Sequence, residues 1–113
     1  MSKPLYDPST TVSAQFEDLI DIVPGATVSK ALIDAHGVRQ ILFAMDADQE
    51  LTEHTSPALA IVQVITGKLW IRVGKDEHNI TQGAWVLMPS NIPHAVKATE
   101  KSRWLLTMIK PRE

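Results

Sequence analysis

From Thr27 onward the chain is a succession of short apolar runs, none longer than about ten residues, broken by glycine, proline or small polar clusters. Thr27 to Asp34, Val38 to Asp46, Leu51 to His54, Ala58 to Thr66, Lys68 to Val73, His78 to Thr81, Trp85 to Met88, Pro93 to Ala98 and Ser102 to Ile109 read as strands. His36-Gly37, Gly67 and the run Gly74-Lys75-Asp76-Glu77 read as turns between them. No stretch supports a helix longer than about ten residues. A single open sheet built from so many strands would leave one apolar face and two edges in water, so a sandwich or closed barrel is favoured. The expected fold class is all-β.

At 113 residues and 44% hydrophobic content, the chain can bury one core. Residues 1 to about 14 are polar and carry Pro4 and Pro8, the signature of a loose arm. Ala14, Phe16, Leu19, Ile20, Ile22 and Val23 then form an apolar cluster ahead of Pro24-Gly25, with a period that fits either a short helical turn or an edge strand. The expected division is an N-terminal arm or edge segment over residues 1–24 and a β-barrel domain over 25–113. Eleven basic against thirteen acidic residues give a net charge of −2, which supplies no drive toward nucleic acid. Absence of cysteine excludes disulfides and thiolate chemistry. The opening MSKPLYDPSTTVSAQ has no apolar h-region, and the longest apolar run, Ala58 to Ile65, is too short to cross a membrane. A cytoplasmic protein without membrane or nucleic-acid partners is expected.

Strand alternation assigns side chains to faces. Val62, Val64, Leu69, Ile71 and Val73 are expected inside the barrel, while Lys68, Trp70 and Arg72 share the outer face of their strand. A tryptophan beside an arginine on an outer face suits either an interface core or packing under the N-terminal segment. A homodimer is expected, formed by sheet faces or by exchanged N-terminal strands, with Trp70 and Phe16 to Val23 near the contact. Met45, Met88 and Met108 read as core filling, and Trp85 and Trp104 as barrel or pocket walls. His36, in a turn, and His78, after a charged run, read as exposed.

Two stretches remain, HTSPALAIVQVITG from His54 to Gly67 and GAWVLMPSNIPH from Gly83 to His94. At this spacing the chain resembles the cupin superfamily, in particular its small single-domain members, over roughly Asp48 to Ala98. His54 and Gly67 fit the first cupin motif; Asp48 stands in place of its opening glycine, Ser56 of its second histidine and Ala60 of its glutamate. Gly83, Pro89 and His94 fit the second motif, with Asn91 in place of its glycine and Ala98 of its asparagine. The resemblance implies a jelly-roll-like, double-stranded β-barrel of two antiparallel sheets, often dimeric, with a pocket at one end. Two of the four usual metal-ligand positions are lost, so the complete three-histidine, one-carboxylate site does not carry over.

The candidate pocket therefore comprises His54, Ser56, Ala60 and His94, with His54 and His94 as metal-ligand candidates. If the run ending at His54 continues as a regular strand, His54 and Ser56 share a face, Glu50 and Thr52 share that parity, and Glu53 points away. Glu50 is then the nearest plausible carboxylate in sequence, and Gln63 lies on the wrong parity of its strand. Asn91 reads as a turn residue tolerating a left-handed conformation. Three functions follow as expectations. The first is binding of a small molecule between apolar walls and two imidazoles, without a metal. The second is a metal-dependent enzyme of dioxygenase or isomerase type, holding a divalent ion (Fe, Mn, Ni or Zn) at partial occupancy on two histidines. The third is a non-catalytic sensory or interaction module.

Overall fold

The computed structural model describes residues 3–112. Among them lie one helical turn, α1 (Phe16–Leu19), and nine strands: β1 (Thr27–Ala35), β2 (Val38–Met45), β3 (Glu50–His54), β4 (Leu59–Thr66), β5 (Lys68–Val73), β6 (Asp76–Thr81), β7 (Trp85–Met88), β8 (His94–Ala98) and β9 (Ser102–Ile109). They form a five-stranded sheet ordered β1-β2-β9-β4-β7 and a four-stranded sheet ordered β3-β8-β5-β6, with every pair antiparallel. The expected strands are present within one or two residues at each end. The largest difference is β6, which starts at Asp76 because Gly74 alone takes the left-handed conformation that a two-residue turn with Lys75 requires.

Alternation fills the space between the sheets. Phe43, Met45, Ala60, Val62, Val64, Leu69, Ile71, Met88, Val96, Ala98 and Trp104 form one buried cluster drawn from both sheets. Phe43 and Trp104 stack with centroids 4.3 Å apart and planes within 8°, and the Trp104 indole N–H donates to Met45 Sδ at 3.1 Å. Val62, Val64, Leu69 and Ile71 are buried as expected, and Val73, at a strand end, is partly buried.

The N-terminal segment is not a loose arm. Leu5 and Tyr6 donate backbone hydrogen bonds to Ala31 and Leu32 of β1, and Ile20 is buried with Leu32, Leu42, Ala44 and Leu105 in a second cluster. Leu42, Ala44 and Leu105 alternate with core residues of β2 and β9, so this cluster lies on the outer face of the five-stranded sheet. Lys30 Nζ and Arg103 Nε donate to the carbonyls of Leu19 and Ile20, which anchors the segment at its apolar part.

That placement revises the reading of the tryptophans. Trp70 lies on the outer face of the four-stranded sheet, where its indole N–H donates to Glu77 at 2.8 Å and Arg72 stands 5.8 Å from the ring centroid. The N-terminal segment packs on the opposite sheet, so Trp70 is not beneath it, and Trp70 and Phe16 to Val23 do not share one surface. Trp104 is an inner wall, whereas Trp85 is 59% exposed, paired with Gln63 on the outer face of β4. The turn after Gly83 delivers Trp85 to the same parity as Leu87, facing away from the core.

Candidate functional site

His94 is the first residue of β8 and shares the inner face with Val96 and Ala98; only 6% of it is exposed. His54 ends β3, the neighbouring strand. Leu51 pairs with Val96 and His54 with His94, so three residues of β3 oppose two of β8. This bulge changes the parity of the strand. Without it, the position following Leu51 on the inner face would be Glu53; with it, His54 is brought opposite His94.

The result is a close imidazole pair. The two Nε2 atoms are 3.0 Å apart, with ring centroids at 4.3 Å and planes crossing at 69°. Each Nδ1 meets a backbone carbonyl two residues earlier in the chain, His54 that of Thr52 at 2.9 Å and His94 that of Ile92 at 3.2 Å. A carbonyl oxygen only accepts, so in this geometry both Nδ1 atoms carry protons. In neutral rings both Nε2 lone pairs then face each other across 3.0 Å. The arrangement suits a cation or a ligand donor placed between them. Burial holds the His94 pKa below its usual 6.5, opposed by the hydrogen bond to Ile92 and aided by the neighbouring His54.

The other expected residues are placed differently. Glu50 pairs with Lys97, on the face opposite Val96, so the bulge puts Glu50 outside, and it is not the nearby carboxylate that a regular β3 implies. Glu53 does point away: its carboxylate accepts from Arg72 Nη2 at 2.7 Å on the outer surface. Ser56 lies in the loop beyond β3 rather than on the strand, and its Oγ accepts from the backbone of Ala58 at 3.1 Å. Ala60 is buried on the inner face of the five-stranded sheet, registered between Met88 and Met108. Among the described residues no group of three or more histidine, cysteine, aspartate or glutamate side chains converges.

Both glycine replacements keep the turn geometry. Asp48 and Asn91 have φ of 71° and 63°, in the left-handed region that Asx residues reach more readily than other side chains. Asp48 N–H donates to Ala98 O at 2.7 Å, which ties its turn to β8, and Asn91 N–H donates to Ser56 O at 2.8 Å, which ties its turn to the loop after β3. His36 occupies a left-handed turn position, and His78 is exposed.

Sequence reading did not single out Arg39. It shares the barrel-facing parity of Ile41, Phe43 and Met45 on β2, pairs with Met108, and lines a cleft of about 330 Å³ with Ser56, Ala58 and Lys110. The available signal was a charged residue in an otherwise apolar inner row. A larger hollow of about 560 Å³ lies elsewhere, between the N-terminal segment and β1–β2, walled by Tyr6, Phe16, Leu32 and Gln40.

Two antiparallel sheets around one apolar core, with turns and histidines in this register, define a small cupin barrel. Residues 36–113 match the AraC-like ligand-binding domain, and the chain belongs to that family. Solved structures agree on the fold. A conserved protein of unknown function from Streptococcus pyogenes is 24% identical, with 99% of this chain and 98% of that one covered and a TM-score of 0.86. A cupin superfamily protein from Desulfitobacterium hafniense is 16% identical over 83% of this chain and 86% of that one, TM-score 0.80. A cupin 2 conserved barrel domain protein from Leptotrichia buccalis is 28% identical over 82% of this chain and 45% of that one, TM-score 0.79. No curated protein matches the chain. No helix among the described residues is long and apolar enough to cross a membrane.

Proposed function

We propose that this domain binds a small molecule at one end of the barrel and that His54 and His94 are its two polar anchors. The observation that carries the reading is the 3.0 Å approach of two Nε2 atoms whose rings are fixed through Nδ1 by backbone carbonyls. Such fixation sets ring orientation before any ligand arrives, so little ordering entropy remains to be lost on binding. A group with two or more N–H or O–H protons, such as an amine, can donate to both Nε2 atoms and so satisfy lone pairs that otherwise oppose each other. Membership in a ligand-binding domain family supports the same reading.

A second reading rests on the same lone pairs: the rings hold a divalent ion weakly. Two imidazoles on a tetrahedral zinc are separated by roughly 3.3 Å for Zn–N bonds of about 2.0 Å, slightly more than the 3.0 Å here, so a small opening admits the ion. Among the described residues two nitrogens and no carboxylate converge at this point, so water or a bound molecule completes the shell and occupancy is partial. A bound ion would supply Lewis acidity, the requirement of a metal-dependent dioxygenase or isomerase. The chain's own part is to orient both rings and to keep Nε2 unprotonated through the lowered His94 pKa. Elemental analysis and a crystal structure of protein purified without chelator or nickel resin separate the readings. An organic molecule against both Nε2 atoms supports the first, and an ion there supports the second. In either case His54→Ala/His94→Ala is expected to fold and to lose the bound species; full retention overturns both.

A further inference from the structure

We infer that the hollow between the N-terminal segment and β1–β2 is a second binding site, outside the barrel, that takes a small protonated amine with an apolar body. It goes beyond the histidine pair, which lies on the other sheet. The hollow has a volume of about 560 Å³, within the range of small-molecule pockets. Tyr6, Val12 and Phe16 wall it on the segment side, and Leu32, Ile33 and Val38 wall it on the sheet side. A bulge builds the sheet wall. Ala31 pairs with Ile41 and Ile33 with Gln40, so Leu32 is the extra residue, and the consecutive side chains Leu32 and Ile33 both line the hollow. A regular strand would turn one of them to the inner face. The segment is tied to the body of the protein on either side of the hollow. Tyr6 N–H donates to Leu32 O at 3.0 Å, and beyond it Lys30 Nζ and Arg103 Nε donate to Leu19 O and Ile20 O at 2.7 and 3.0 Å. Between these ties, residues 8–18 form hydrogen bonds only with one another or with Asp7, among the described residues. That stretch can part from the sheet to admit a molecule without losing a hydrogen bond to it.

Charge narrows the class. Among the described lining residues Asp7 is the one acidic side chain, and none is lysine or arginine; Thr10, His36 and Gln40 supply the other polar groups. Ser9 N–H and Oγ both donate to Asp7 Oδ1, at 2.9 and 2.7 Å, which holds the carboxyl below its ordinary pKa and leaves Oδ2 to accept from a ligand. Tyr6 and Phe16 add two aromatic rings, which attract cations as well as apolar groups. Lys3 and Asp34, in a neighbouring hollow shared with Tyr6 to Pro8, carry opposite charges that offset each other. Apolar walls with one exposed carboxylate suit an ammonium group joined to a ring or short chain, and they oppose a carboxylate.

Titration calorimetry of the full chain at pH 8 with 2-phenylethylamine, 2-phenylethanol and 3-phenylpropionate tests this, since an aliphatic amine is then charged and an ordinary imidazole neutral. The amine is expected to bind at millimolar concentration or below, the alcohol several-fold more weakly, and the carboxylate roughly tenfold more weakly than the amine. Asp7 is exposed, so its attraction is modest and screened by salt. Asp7→Asn, which can still accept from Ser9, is expected to weaken the amine several-fold and to leave the alcohol unchanged. Val12→Ser, at an exposed wall position, is expected to weaken amine and alcohol alike. No amine binding at millimolar concentration, alcohol or carboxylate binding as tight as that of the amine, or amine binding unchanged in both variants overturns the proposal. Because an amine can also donate to the histidine pair, His54→Ala/His94→Ala separates the two sites. Amine binding retained there and weakened in Asp7→Asn and Val12→Ser supports the hollow. Binding lost there and unchanged in Asp7→Asn and Val12→Ser keeps the histidine anchors and overturns the hollow.

Discussion

Burial shifts the proton equilibrium of His94 toward the neutral ring. Its folded pKa lies below the ordinary 6.5, chiefly because its ring is removed from water. Above about pH 6.5 the ring is neutral in both folded and unfolded chains, and its contribution to stability is fully present. As pH falls, the unfolded chain binds the proton first, and stability is lost progressively down to the folded pKa. Thermal melts should therefore show the midpoint dropping as pH falls below about 6.5. His94→Asn should flatten part of that slope; an unchanged slope would mean that other groups account for it. The same residue scale explains how much of the site could be read in advance. The histidine spacing and the left-handed Asn91 are sequence-local features, and both appear as expected. Glu50 does not, because a single extra residue between Leu51 and His54 exchanges the faces of everything before it.

Among the glycine turns, the one after β4 is the most tightly surrounded. Gly67 has φ of 91°, and a Cβ there would run into the Lys101 carbonyl and the Ser102 side chain. Ser102 is buried and its Oγ accepts from the Lys68 backbone N–H at 3.0 Å, so the obstacle cannot swing away without breaking that bond. Gly67→Ala should cost more than about 2 kcal/mol, from a strained φ together with the clash. Urea denaturation measures it, and a loss below about 0.5 kcal/mol would show that the turn relaxes cheaply. Strands bounded by such turns are legible from sequence because alternation and glycine position are local properties. What Trp85 faces is not local. Its parity depends on which sheet β7 joins, and pairing with β4 turns it outward, where a pattern of apolar residues alone suggested a wall.

The whole molecule has two apolar layers, one between the sheets and one beneath the N-terminal segment. The second makes that segment part of the fold's stability. Burying a side chain such as Ile20 contributes about 1.5–3 kcal/mol, and its removal also bares Leu32, Leu42, Ala44 and Leu105. Deleting residues 1–24 should lower the melting temperature and increase binding of a dye specific for exposed apolar surface. A truncated chain that melts like the full one would contradict the two-layer description. Within one chain Trp70 and Phe16 to Val23 occupy outer faces of opposite sheets.

Whether His54 and His94 act as one two-nitrogen anchor is read most directly by imidazole nitrogen spectroscopy. Long-range proton–nitrogen correlation spectra of the full chain, titrated with zinc as a probe of converging lone pairs, report each ring nitrogen separately. Both Nδ1 atoms should be protonated, the two Nε2 resonances should shift together, and the response should saturate at no more than one ion per chain. Nε2 resonances that move independently or not at all, or an equal zinc affinity in His54→Ala/His94→Ala, would contradict a shared anchor.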